Sequence, residues 1–176
     1  MDELTPLAQA AARGDRAALT ALISGTQRDV WRLCAHLVDP GSADDLTQET
    51  YLRAIPALRR FRGEGSVRTW LLTIARRVCA HEIDSRVRRR QVTARLAAAI
   101  PPSSGARTEL TELLAALDPD RRAAFVLTQM LGCGYAEAAE ICGCPIGTIR
   151  SRVARARADL DAMLNPGERR SLAEGD

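Results

Sequence analysis

The densest chemistry in this chain lies between Arg150 and Arg157, where Arg150, Arg152, Arg155 and Arg157 occur without an intervening acid. Ser151 stands among them. Guanidinium groups bind phosphate oxygens and guanine edges, and a small hydroxyl one helical turn from an arginine suits base edges in a major groove. Ile146, Ile149, Val153, Ala156 and Leu160 recur at alternating three- and four-residue steps, which predicts a helix with a single apolar stripe. On that helix Ser151 and Arg155 fall opposite the stripe. Thr148 and Ala154 flank them, and Arg150, Arg152 and Arg157 lie toward the edges. A solvated amphipathic helix is the bland alternative. Four arginines with no acid favour a polyanion-binding face over it.

A helix of this kind needs a partner helix to hold it. Gly134 to Cys142 supplies one, with Ala138, Ala139 and Cys142 as inward candidates, and Gly143, Cys144 and Pro145 carry the turn between the two. Upstream, Asp118 followed by Pro119 predicts a capped helix start, and that helix ends by Gly132. A second helical unit therefore runs over 109–165. The segment Ala97–Arg107, with Pro101, Pro102, two serines and Gly105, reads as a linker spanning about 96–108. A first unit covers roughly 1–95. Within it the spacing predicts helices over Leu7–Ile23 (interrupted near Gly14), Asp29–Leu37, a capping box from Ser42 to Asp45 opening a helix to about Leu58, and a long helix over Val67–Arg89. Gly63 and Gly65 make Phe61–Ser66 a loop. No alternating strand pattern occurs, so the fold class is all-α, two small helical domains on a flexible tether, with a disordered tail from 166.

Charge follows the same division. The net charge is +3 and every basic residue is arginine. Residues 59–95 carry +8 and residues 150–157 carry +4, whereas 1–58, 96–149 and 158–176 each carry −3. Two basic blocks separated by acidic protein imply two contacts with a polyanion. No apolar run is long enough for a membrane span and no leader precedes the first helix, which predicts a soluble, cytoplasmic chain. The five cysteines, Cys34, Cys79, Cys133, Cys142 and Cys144, lack metal-ligand spacing and suit core packing; Cys133, between two glycines, is the one expected at the surface. No nucleophile–base pair or phosphate loop is present, so no catalytic residue, metal or cofactor is assigned.

Three blocks in this order resemble the extracytoplasmic-function group of sigma factors of the sigma-70 family, and within it the actinobacterial SigC type. They are DDLTQETYLRA from Asp44, FRGEGSVRTWLLTIARRV from Phe61 and CGYAEAAEICGCPIGTIRSRVARAR from Cys133. The resemblance implies a non-enzymatic initiation subunit that binds core RNA polymerase, through the β′ clamp helices and the β flap, and recognises −35 and −10 promoter DNA. It implies polymerase contacts at Asp45, Gln48 and Glu49. It implies −10 contacts at Phe61, Arg62, Gly63, Glu64, Ser66, Trp70, Thr73, Arg77 and His81. It implies −35 contacts at Thr148, Arg150, Ser151, Arg152, Ala154 and Arg155. Many members are held by an anti-sigma factor, which becomes a candidate partner here. Arg77 and His81 depart from the common pattern, in which Asn follows the IAR motif and Asp stands four residues later. The residues leave one competing function, an autonomous helix-turn-helix regulator that binds DNA unaided. On that reading the acidic Asp44 helix and the Arg59–Arg95 block are surplus.

Overall fold

A computed structural model describes residues 3–165 of the chain, except 62, 64 and 97–107, and its described residues contain helices and turns but no strands. The chain divides into two compact units, Met1–Ala106 and Arg107–Asp176. The expected linker at 97–107 and the tail from 166 lie outside the described residues.

In the first unit, α1 (Leu4–Ala12) ends at Gly14, whose φ of 99° is open to glycine and costly for other residues. Helix α2 (Arg16–Leu37) restarts on Asp15, whose side chain accepts the Ala18 N–H at 3.0 Å. Two separate helices were expected over this stretch, and the structure has one. Ser24, Gly25 and Thr26 remain helical because the tertiary structure uses them. Thr26 Oγ1 lies 2.7 Å from the Leu22 carbonyl and 2.7 Å from the Tyr51 hydroxyl. A Cβ on Gly25 would sit 3.3 Å from Leu4 Cδ2, so this glycine admits α1 instead of breaking α2.

The entry to α3 also differs from the expected capping box. Asp39, not Ser42, is the capping side chain: it accepts the Ser42 N–H at 2.9 Å across a 3₁₀ turn, Pro40–Ser42. Helix α3 (Ala43–Ala57) then runs to a second 3₁₀ turn, Leu58–Arg60. Helix α4 (Val67–Leu96) continues past the expected end at Arg89. At 1.5 Å per residue it spans about 45 Å. Val30, Leu33 and Leu37 of α2, Leu46 of α3, and Leu71, Leu72, Ala75 and Val78 of α4 are buried. Each large aliphatic among them contributes about 1.5–3 kcal/mol of burial. Ala8, Leu22, Leu58 and Val67 form an adjoining cluster against which Phe61 and Trp70 pack.

The second unit begins with α5 (Glu109–Ala116), capped by Thr108. Helix α6 (Pro119–Phe125) starts on Asp118, whose carboxylate accepts from the Asp120 and Arg121 N–H groups, and passes into a π-helical turn, Val126–Met130. Helix α7 (Tyr135–Cys142) ends at Gly143, in the left-handed conformation with φ 65°, and α8 (Ile146–Leu164) follows Pro145. Leu114, Leu127, Ala138, Ile141, Ile149, Val153 and Ala156 form the core. Three expectations fail here. Ile146 is exposed, because it opens α8 before the apolar stripe reaches the core. Ile141 takes the inward position on α7, while Ala139 and Cys142 are half-buried. Cys133 is buried, and its N–H donates to the carbonyl of Leu127 in the π-helical turn at 2.9 Å, which folds the chain back onto that turn.

Candidate nucleic-acid interface

Helix α8 shows four arginines that sequence spacing leaves alike and tertiary structure separates. Arg152 pairs with the Asp120 carboxylate of α6 and lies 3.5 Å from Cys144 Sγ. Arg157 donates to Gln129 Oε1 at 2.6 Å. Both are thus committed to holding α8 against the preceding segment, as is the ion pair between Arg121 and Asp159 at 2.7 Å. Arg150 and Arg155 are exposed and pair with no protein group among the described residues. Ser151 and Ala154 are exposed beside them, and Thr148 is half-buried. Ser151 Oγ donates to the Thr148 carbonyl at 2.9 Å. The outward face of α8 is therefore Arg150, Ser151, Ala154 and Arg155. Arg152 sits behind it.

The long helix α4 presents the second basic face. Leu71, Leu72, Ala75, Val78 and Cys79 are buried, Thr73 is half-buried, and Arg77, Ala80, His81 and Asp84 are exposed. The loop before α4 holds Gly63 at φ 74° and Gly65 at φ 95°, two left-handed residues that turn the chain tightly. Ser66 Oγ accepts from the Arg68 N–H at 3.2 Å. Arg62 and Glu64 lie outside the described residues. Phe61 and Trp70 are half-buried with ring centroids 5.4 Å apart and a 48° tilt. Trp70 thus anchors α4 on the cluster around Leu22 and Val67. Arg68, from the same first turn, pairs with Asp29 of α2 at 2.6 Å.

Helix α3 presents an acidic and apolar face instead. Asp45 and Gln48 are exposed; Glu49 is half-buried and pairs with Arg53 at 2.7 Å. Leu52, one turn beyond Gln48, is 60% exposed, and Ile55 is 38% exposed. The structure sets them on the surface in line with Gln48, where a bare leucine gains nothing from the fold. The α3 N-terminus is tied to α4 through Arg86, whose guanidinium reaches Asp39 Oδ2 at 2.5 Å, Ser42 Oγ at 2.5 Å and Glu82 Oε1 at 2.6 Å. Burial raises the Asp39 carboxyl, but the Arg86 guanidinium and the Ser42 donors outweigh it and hold its pKa below the usual carboxylate range.

Of the cysteines, Cys34 and Cys79 meet in the core with sulfurs 3.6 Å apart. Among the described residues no group of three or more His, Cys, Asp or Glu side chains forms a metal site. No helix there is long and apolar enough to cross a membrane.

These surfaces coincide with two known domain families: residues 22–90 match sigma-70 region 2, and residues 107–160 match sigma-70 region 4. The ECF RNA polymerase sigma factor SigC of Mycobacterium tuberculosis is 52% identical over 175 residues, covering 95% of this chain and 92% of that protein. The chain belongs to the extracytoplasmic-function RNA polymerase sigma factors. The sigma-E factor of Escherichia coli K12 is 31% identical over 187 residues, 90% of this chain and 92% of that one. The solved structure of the Bartonella quintana sigma factor RpoE in complex with the anti-sigma factor NepR superposes with a TM-score of 0.71 at 30% identity, covering 84% of this chain and 96% of that one. CnrH, in complex with the cytosolic domain of CnrY, gives a TM-score of 0.72 at 27% identity over 92% of this chain and 97% of that one. The function is that of an alternative sigma factor directing transcription initiation, and the reading as a free-standing helix-turn-helix regulator gives way to it.

Proposed function

We propose that the three faces divide the work of initiation. The α3 face, with Asp45, Gln48 and Glu49 and the apolar Leu52 and Ile55, docks on the β′ clamp helices of core RNA polymerase, and the second unit reaches the β flap. The loop Phe61–Ser66 and the α4 face of Thr73, Arg77 and His81 take the −10 element as it becomes single-stranded, which needs a basic track and a recess for an extruded base. The α8 face reads the −35 element as duplex, with Ser151, Ala154 and Arg155 toward base edges and Arg150 toward phosphate. The chain acts by binding alone, with no catalytic step of its own, and works inside the cell where polymerase and promoter are. An anti-sigma factor is a fitting inhibitor, since two structural neighbours are complexes of this kind or of a similar cytosolic partner domain.

The observation that carries this reading is the presence of exposed arginines, without a protein partner among the described residues, on two helices in two separate units: Arg77 on α4, and Arg150 and Arg155 on α8. One protein with two such faces suits two DNA elements, one per unit. The test is promoter-directed transcription by core polymerase with and without the chain, on templates in which the −10 and −35 elements are altered separately. Dependence on both elements, and on the chain, supports the reading. Transcription that needs only one element would remove one of the two DNA faces.

A further inference from the structure

We propose that Cys34 and Cys79 form a redox site in the first unit, closing into a reversible disulfide that joins α2 to α4 when a peroxide oxidises the pair. The roles given above to the three faces use neither residue.

The two sulfurs are in contact. Cys34 Sγ and Cys79 Sγ lie 3.6 Å apart, and both residues are 0% exposed. They come from two helices and stand 45 residues apart in the chain. Disulfide sulfurs are about 2.0 Å apart, so side-chain rotation has about 1.5 Å to close. The other three cysteines, Cys133, Cys142 and Cys144, belong to the second unit, so the first holds no competing thiol. The surroundings also favour ionisation of one sulfur over the other. The Cys79 S–H donates to Cys34. The Thr47 hydroxyl oxygen of α3 is buried, has no hydrogen-bond partner among the described residues, and is within reach of Cys34. Thr50 gives its hydrogen to the Leu46 carbonyl at 2.7 Å, which leaves Thr47 as the hydroxyl free to donate to a Cys34 thiolate. Packing alone leaves that buried hydroxyl with a hydrogen bond unmade. The Cys79 S–H, with Thr47 adding to it, outweighs burial and holds the Cys34 thiol below its ordinary range. The Cys34 sulfur and burial together push Cys79 above it.

With hydrogen peroxide as oxidant, the Cys34 thiolate attacks one oxygen, the O–O bond breaks and hydroxide leaves, so that Cys34 becomes a sulfenic acid. Cys79 then attacks that sulfur. The S–S bond forms, the S–O bond breaks, and the oxygen leaves as water with the proton that Cys79 gives up. In sum the two thiols lose two electrons and two protons, and one peroxide becomes two waters. Both sulfurs are buried, so the oxidant meets them when α2 and α4 open locally, and the reaction is slower than that of an exposed thiolate. The bond closes a long loop and restricts the unfolded chain, which stabilises the folded unit. Cys79 stands between Arg77 and His81, so the bond fixes to α2 the part of α4 that carries those exposed side chains.

The experiment treats the full chain with hydrogen peroxide under native conditions, blocks the remaining thiols with N-ethylmaleimide in denaturant, and maps the unreduced peptides by mass spectrometry. Wild type should yield a peptide pair joined from Cys34 to Cys79 within one molecule, lighter by the hydrogens lost, and dithiothreitol should restore both thiols. The oxidised chain should melt higher than the reduced one, by about 10 °C in the transition of the first unit. Cys79→Ala leaves Cys34 no sulfur to close on, so peroxide should leave a sulfenic acid at Cys34 that dimedone traps. Cys34→Ala should leave Cys79 a thiol. The wild-type crosslink requires no variant, so it decides the matter even where a buried alanine impairs folding. Cys34 and Cys79 both recovered as thiols while Cys142 or Cys144 is oxidised would overturn the proposal, as would a Cys34–Cys79 bond that forms only in denaturant. An oxidised chain that melts no higher than the reduced one removes the stabilising role, and dimedone on Cys79 in Cys34→Ala reverses the order of attack.

Discussion

Arginines of one helix differ in what holds them. Arg155 projects from α8 without a protein partner among the described residues, whereas Arg152 is fixed to Asp120 and Arg157 to Gln129. Arg155→Ala should therefore cost about 1–3 kcal/mol of discrimination at one or two base pairs of the −35 element and leave the melting temperature unchanged. Arg152→Ala should do the opposite. It removes the Arg152–Asp120 ion pair and loosens α8 from α6, lowering stability by about 1 kcal/mol, with weaker binding to all sequences alike. Thermal melting beside promoter-variant transcription checks both. Equal loss of discrimination in both variants would mean that the Asp120 pair opens when DNA binds. The apolar stripe of α8 was legible in the sequence because period 3.6 is a local signal. The division among its arginines was not, because Asp120 and Gln129 stand 32 and 28 residues away and no spacing rule connects them. Cys133 shows the same limit: two flanking glycines suggest exposure, and the turn that brings its N–H to the Leu127 carbonyl leaves it buried.

At the scale of elements, α3 carries one surface that the fold does not use and one end that it uses heavily. Leu52 contributes little to the core at 60% exposure. Leu52→Ala should leave helicity and melting unchanged and weaken binding to core polymerase. Gln48→Ala combined with Glu49→Ala should weaken it further, by about 1–3 kcal/mol per contact buried in the complex. Equilibrium binding to core polymerase decides, and unaltered affinity in both variants would move the docking face elsewhere. The other end is the Asp39–Ser42–Arg86 junction, which ties the start of α3 to the far half of α4. Because the folded-state pKa of Asp39 is depressed, its stabilising effect is present above the ordinary carboxylate range and is lost as pH falls through the folded value. Asp39→Asn should therefore lower stability by about 1–3 kcal/mol at neutral pH, with the difference from wild type shrinking in acid. Denaturant melts at pH 7 and in the acid range measure it, and a difference that grows with acid would reverse the assignment. The sequence showed the helix start near Ser42, since Asp, Pro, Gly and Ser crowd there, but it misassigned the cap. Choosing between Asp39 and Ser42 requires knowing where Arg86 lies, and Arg86 is 47 residues from Asp39. The unbroken α2 was missed for a related reason. Ser-Gly-Thr reads as a break until α1 and Tyr51 are packed against it.

For the whole molecule, the balance of aromatic and basic residues decides how melted DNA is held. The chain has six aromatics: Trp31, Tyr51, Phe61, Trp70, Phe125 and Tyr135. Only Phe61 and Trp70 lie in the −10 block, and they pack on each other and on the cluster around Leu22. Stacking on an aromatic is worth about 1–3 kcal/mol per base in single-strand binding. With both rings half-buried, little of that is open to the −10 strand. Capture then falls to the Phe61–Ser66 loop and to electrostatic attraction along α4. A loop that holds one extruded base makes opening depend on a well-matched −10 element. Gly63 is central to that loop, since its φ of 74° is forbidden to proline. Gly63→Pro should abolish transcription from a duplex promoter and recover much of it on a template already melted by mismatch at −10, where trapping the open strand is no longer required. Arg155→Ala should gain nothing from the same bubble, because its defect lies in the other unit and the other element. Single-round transcription on duplex and bubble templates compares the two. Rescue of both variants, or of neither, would show that strand capture does not reside in this loop and would leave the basic face of α4 to hold the open strand.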